Sequence, residues 1–252
     1  MLDAVLWGLT QGLTEFLPIS SSGHLVLVPE VLGSDGPNLA TSAVLHLGTL
    51  LSLLVYFRAE VTQMARFTGR GRRLLRWLVI GTIPAAAVGL ALEALFERIN
   101  GTPHLVALVL AGAGVALYAT RFLRSGSRRI GDVTAGDALV IGCVQAVALV
   151  PGISRSGTTI AAGLARGLDR SEAARFGFLL GIPAIAGAGL LQFVELAEGA
   201  GGIPGQTWVG LGVAAVSGYA AIAMLLSLIR RAGLTPFGIY GVLAGATAYF
   251  LV

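Results

Sequence analysis

Gln11-Gly-Leu-Thr-Glu-Phe-Leu-Pro-Ile-Ser-Ser-Ser-Gly-His24 divides the apolar run that opens the chain from the apolar run that follows it. It holds a carboxylate, Glu15, a proline, three serines, a glycine and a histidine. A helix facing lipid does not tolerate such a break, because N–H and C=O groups freed in hydrocarbon need internal partners or water. A polar, Pro/Gly-broken segment at membrane depth therefore reads as the lining of a site. A second stretch, Pro151-Gly-Ile-Ser-Arg-Ser-Gly-Thr158, interrupts a later apolar run in the same way. The two breaks are expected to meet.

The composition makes lipid the solvent. The 252 residues are 55% hydrophobic and 12% charged, with mean hydropathy +0.83. A soluble domain carries about a quarter charged residues. The length suits a single membrane domain over 1–252. Net charge is +4 with no lysine, and the arginines sit between apolar runs, where the positive-inside bias places them. That distribution argues against nucleic acid as a partner. The single cysteine, Cys143, excludes an internal disulfide and reads as packing. The N-terminus lacks a basic n-region, so no cleavable signal peptide is expected.

Gln11 and Glu15 are four apart and share one helix face. Neither Leu2–Leu17 nor Leu25–Leu32 reaches the ~20 residues a span needs, so a re-entrant pair over 2–32 is predicted. Spans follow at 38–57, 77–96 and 105–123, with a basic loop from Arg58 to Arg76. A second broken pair covers 137–168, and further spans run over 176–195, 208–229 and 236–252. The predicted fold is an all-α polytopic membrane protein with six full transmembrane helices plus two re-entrant helix pairs. With the Arg58–Arg76 loop in the cytoplasm, both termini and the first pair lie outside and the second pair enters from inside. Only Arg98 and Arg155 depart from the arginine bias.

That arrangement implies an inverted-topology repeat, and the sequence carries one. Asp3 and Asp137 are 134 apart; at that offset Ala4, Gly8, Gln11, Ile19, Ser20, Ser22 and Gly23 meet identical residues at Ala138, Gly142, Gln145, Ile153, Ser154, Ser156 and Gly157. Repeat 1 spans about 1–123 and repeat 2 about 136–252. Three spans per half is an odd number, so the halves face opposite ways and two half-helix N-termini converge near the midplane.

Ser20, Ser21, Ser22 and Gly23, and Ser154, Arg155, Ser156, Gly157 and Thr158, each open a helix half, where free N–H groups and the positive dipole end favour an anion. Arg155 adds a charge that forks onto phosphate oxygens. The plain alternative is that Ser and Gly only cap and pack. Three roles fit Glu15: ligand to a divalent cation, general base, or ion-pair partner of Arg155. Gln11 offers a carbonyl to the same cation. His24 suits proton transfer or direct attack on phosphorus. Thr158 and Thr159 also suit back-bonding, Asp3 and Asp137 suit caps, and His46 reads as a packing or hydrogen-bonding residue.

The two motifs resemble those of the undecaprenyl-diphosphate phosphatases, the BacA-like bacitracin-resistance family, and Gly81-Thr-Ile-Pro84 adds to the likeness. The resemblance implies removal of the terminal phosphate of a C55 isoprenoid diphosphate, recycling the lipid carrier for wall synthesis, and a need for a divalent cation, Mg²⁺ or Ca²⁺. It implies a bacterial cell membrane location and a site open to the periplasmic face. By motif position it implies Glu15, Ser21, His24 and Arg155 as catalytic, with Ser21 or His24 as nucleophile. Where the family has Glu or Gln at the first motif position, this chain has Gln11, so one carboxylate remains for a cation. Partners are then the polyprenyl diphosphate and membrane lipids; a homo-oligomer is compatible with the sequence. A lipid-phosphate transporter would use the same inverted-repeat anion site. The other lipid phosphatase class needs a Lys, which this chain lacks, and a His after its Ser-Arg, absent beyond Arg155.

Overall fold

The computed structural model describes residues 1–198 and 205–252, and for residues 39 and 190–198 it describes the backbone alone. Its helices are α1 (Leu2–Phe16), α2 (Ser21–Leu32), α3 (Leu39–Tyr56), α4 (Arg58–Ala65), α5 (Gly69–Asn100), α6 (Pro103–Ala119), α7 (Ala135–Val147), α8 (Arg155–Ala165), α9 (Arg170–Glu198), α10 (Thr207–Ala232) and α11 (Thr235–Leu251). Among the described residues there is no strand, only an isolated bridge between Arg128 and Leu168. Among the described residues three helices are long and apolar enough to cross a membrane: α5, α6 with the turn that continues it to Phe122, and α10. The bent pair α3–α4 would make a fourth. The acidic loop expected after Glu195 runs into residues outside those described.

Both predicted breaks are present. Helix α1 stops at Phe16 because Leu17 precedes a proline and turns extended, with φ −67° and ψ 140°, as that position demands. On α1, Ala4, Gly8, Gln11 and Glu15 face inward, while Leu2, Leu6, Leu9 and Leu13 are exposed. Helix α2 starts after Ser20, whose Oγ accepts the Gly23 N–H at 3.2 Å. Helix α7 is capped by Thr134 and Asp137, each side chain accepting the other's main-chain N–H, a reciprocal pairing that satisfies two free donors. Asp3, by contrast, lies in the first turn of α1, which has no side-chain cap bond. After α7 the chain turns through Gly152, at φ 98°, where a side chain would also strike the Val106 carbonyl. Ser154 then opens α8 by accepting the Gly157 N–H at 3.2 Å.

The stretch from Arg58 to Arg76, expected as a loop, is instead helical. It forms α4, bent 83° from α3, and the first turns of α5, where Thr68 accepts the Gly71 N–H at 3.0 Å. Arginine is a good helix former, so a polar segment leaving an apolar run need not unwind. Phe67, at φ 49°, makes the elbow between the two helices.

Helix α1 lies along α10, α7 along α5, and α6 along α11, while α3 packs on α9 and α10 and α8 packs on α9. Small residues permit these approaches, as in other membrane bundles. A Cβ on Gly12 would fall 2.0 Å from Ser217 Oγ and 2.6 Å from the Ala214 carbonyl. Buried Phe16 meets Phe178 edge-on at 5.7 Å, seating the end of α1 against α9. The end of the second pair is tied by charge. Buried Asp137 accepts from Arg128 at 2.5 Å and from Arg166 at 2.7 Å, which joins the start of α7 to the end of α8.

Gly12→Leu is expected to destabilise the fold by about 1–3 kcal/mol, the usual cost of overpacking. Thermal unfolding in detergent, followed by circular dichroism, measures it; an unchanged midpoint would show that α1 and α10 do not meet at Gly12.

Candidate active site

The two breaks touch through backbone and side chain. Ser156 Oγ donates to the Leu17 carbonyl at 3.2 Å, and the Gly152 N–H donates to Ser22 Oγ at 3.5 Å. The glycines meet the opposite break reciprocally: a Cβ on Gly23 would lie 3.4 Å from Gly152 Cα, and one on Gly157 would lie 3.2 Å from Pro18 Cβ. Within each break a hydroxyl pair repeats. Ser20 and Ser22 are 3.3 Å apart, and Ser154 and Ser156 are 3.1 Å apart.

Glu15 is the centre of the polar cluster. Its Oε1 accepts from Arg155 Nη2, an ion pair joining α1 to the first residue of α8. Its Oε2 accepts from Ser21 Oγ at 2.6 Å and from Gln11 Nε2 at 3.0 Å. The side chains of Glu15 and Arg155 are only 7% and 16% exposed, so solvent screens the pair little. Arg155 Nη1 and Gln11 Oε1 are buried with no hydrogen-bond partner among the described residues. Buried polar atoms are nearly always partnered; Gln145, which matches Gln11 in the second half, also has both amide atoms unpartnered among the described residues.

His24 lies apart from Ser21. Its Nδ1 is 2.7 Å from the Ser20 carbonyl and its Nε2 is 2.7 Å from Tyr240 Oη. Both ring nitrogens are thus occupied without reaching Glu15. Thr158 and Thr159 donate back to main-chain carbonyls: Thr158 to Ser154 at 2.9 Å and Thr159 to Arg155 at 2.8 Å. His46 Nδ1 likewise donates to the Ser42 carbonyl at 2.8 Å.

Two neighbours were not read from the sequence. Gly181 on α9 leaves the space Arg155 fills, since a Cβ there would lie 2.1 Å from Nη1. Its signal was a glycine two residues before a proline inside an apolar run, Gly181-Ile-Pro183, an echo of Gly81-Thr-Ile-Pro84. Tyr240 on α11 had no signal beyond a phenol in an apolar run.

The family model described as Bacitracin resistance protein BacA matches residues 4–247. This chain belongs to the BacA family. BacA relatives cover nearly all of it. A protein named undecaprenyl-diphosphatase from Hahella chejuensis is 45% identical over 260 residues, covering 97% of this chain and 96% of that one. One of the same name from Trichlorobacter lovleyi is 43% identical, with 97% and 94% covered. One from Desulforudis audaxviator is 41% identical, with 97% and 95% covered. Together with its apolar helices, BacA membership makes this a multi-pass membrane protein.

Removing one member of a buried ion pair leaves the other uncompensated, at roughly 3–5 kcal/mol. Glu15→Gln and Arg155→Met are each expected to lower the melting midpoint more than the double variant does. Strictly additive losses across that cycle would show that the two side chains do not pair.

Proposed function

We propose that this protein hydrolyses undecaprenyl diphosphate to undecaprenyl phosphate and inorganic phosphate in a bacterial cell membrane, recycling the lipid carrier for wall synthesis and conferring bacitracin resistance. The observation that carries the mechanism is the Ser21–Glu15–Arg155 array, set between two helix N-termini. The BacA relatives, each named undecaprenyl-diphosphatase, supply the substrate.

The terminal phosphate docks where α2 and α8 begin, against the first-turn N–H groups of Ser21 and Ser22 and of Arg155 and Ser156, which the caps on Gly23 and Gly157 leave free. Arg155, at the first position of α8, supplies positive charge to its oxygens while Nη2 stays on Glu15. Ser21 attacks phosphorus. Its proton passes to Glu15 Oε2 along the existing 2.6 Å bond, the anhydride P–O bond breaks, and undecaprenyl phosphate leaves. Water then attacks the phosphoserine, the Ser21 Oγ–P bond breaks, Glu15 returns the proton to Ser21 Oγ, and phosphate leaves with the water's oxygen and protons. Arg155 and the N–H groups stabilise the charge on the transferring group, which is most of what a phosphoryl-transfer site must do.

A divalent cation suits this donor set with the substrate's help. Among the described residues no three His, Cys, Asp or Glu side chains cluster for a metal. Glu15 and the unpaired Gln11 Oε1 would hold Mg²⁺ or Ca²⁺, with phosphate oxygens and water filling the remaining positions, as is usual for Mg²⁺. Bound there, the ion would neutralise phosphate charge.

The chain is read as two inverted repeats, each a re-entrant pair and three spans, with the site facing outward and both termini outside. Support comes from the serine caps, the hydroxyl pairs and the reciprocal glycine contacts at the same offset in both breaks. The helix pairing α1–α10 against α7–α5 supports it as well.

Purified protein is expected to release phosphate from undecaprenyl diphosphate with Mg²⁺ or Ca²⁺ and to stop when EDTA removes the ion. Ser21→Ala should lose at least about 10²-fold in turnover. Arg155→Lys should lose a similar factor, because an ammonium cannot span Glu15 and a phosphate at once. No release by wild type with either ion would refute the phosphatase reading. For topology, a cysteine inserted after Met1 in a Cys143→Ala background should react with an impermeant maleimide on intact cells; reaction only after lysis would reverse the orientation.

A further inference from the structure

We propose that Tyr240 is a positioning residue: through His24 it holds the turn at Ser20 that keeps Ser21 on Glu15. The proposal rests on the phosphatase reading for its kinetic test alone.

The imidazole of His24 sits between two fixed partners. The Ser20 carbonyl has no hydrogen to give, so Nδ1 carries the proton and donates at 2.7 Å. Nε2 of the neutral ring then has only a lone pair, and the Tyr240 hydroxyl donates to it at 2.7 Å. The two rings lie within 10° of parallel. Tyr240 thereby selects one tautomer and one orientation of His24, the usual effect of a partner on the far ring nitrogen.

That orientation matters because of what Nδ1 holds. Ser20 is a non-glycine residue at φ 70°, a left-handed conformation costing about 1–2 kcal/mol for a residue with a Cβ. Such strain persists only where surrounding contacts impose it. The Ser20 carbonyl receives the His24 main-chain N–H at 3.2 Å as well as the ring. Ser154 occupies the matching place in the other break with an ordinary φ of −77°, and there a threonine hydroxyl suffices. Ser21 follows Ser20 directly, so the strained turn sets where its Oγ falls. Tyr240 comes from α11, outside both breaks, and its half-exposed ring contributes the hydroxyl.

Phenylalanine keeps the ring and removes only the donor. Tyr240→Phe is expected to lower kcat about five- to tenfold, the effect of losing one neutral hydrogen bond, with KM within about twofold of wild type because the phosphate groups are untouched. In ¹⁵N-histidine-labelled protein, His24 should show one Nδ1–H tautomer in the wild type and a tautomer mixture in Tyr240→Phe. Comparison with His24→Gln assigns its signals. In a His24→Gln background, adding Tyr240→Phe should cost less than about twofold, since partners in one network are not additive. Unchanged imidazole shifts in Tyr240→Phe would overturn the proposal, whatever the rate. So would a loss confined to KM, or a full independent loss in the His24→Gln background. A wild type that releases no phosphate defeats the phosphatase reading instead, and the imidazole spectra then decide on Tyr240 alone.

Discussion

A carboxylate inside a membrane protein must be given a cation, and Glu15 receives Arg155 from the far half of the chain. A charge at the bilayer centre costs about 2.5–3.5 kcal/mol even on lenient insertion scales. The pair removes the net charge but sets demanding conditions on the surrounding helices. Both α1 and α8 must end or begin at the same depth, so both are short. The chain must turn inside the protein at each break, so proline, glycine and serine occupy the turns. The guanidinium needs a clear path past α9, and Gly181 provides it. After these conditions, one nitrogen of Arg155 and one oxygen of Gln11 still have no partner among the described residues.

The two breaks share a frame and differ in their reactive groups. At an offset of 134, serine caps, second hydroxyls and glycines are kept, whereas Glu15 stands opposite Leu149, Ser21 opposite Arg155 and His24 opposite Thr158. The shared positions make the two helix N-termini and their close contact. The differing positions place the carboxylate and the hydroxyl on one side and the guanidinium on the other. On the proposed mechanism, a phosphate between them would be held from one half and attacked from the other.

Much of this was legible in the sequence because its signals are local. Pro18 forbids helix at Leu17, serines at 20 and 154 announce helix starts, and four-residue spacing puts Gln11 beside Glu15. That the breaks meet followed from their shared pattern. The arginine-rich elbow was misread, since charge reports solvent and not conformation, and α4 with the start of α5 is both polar and helical. Gly181, Tyr240 and the arginine pair on Asp137 were invisible for another reason. Each acts through a partner distant in sequence, and nothing in an apolar run says which side chain lies across from it.

The span between Glu15 and Arg155 has a consequence for biosynthesis. The two are 140 positions apart, and at ~5–20 residues per second the ribosome needs about 7–28 s to cover that interval. During it the nascent α1–α2 hairpin offers Glu15 only its local partners, Gln11 and Ser21. Until Arg155 arrives, the hairpin must wait with its carboxylate protonated or hydrated at the edge of the bilayer. Helices α1 and α2, made well before α8, therefore reach their final seat only after it.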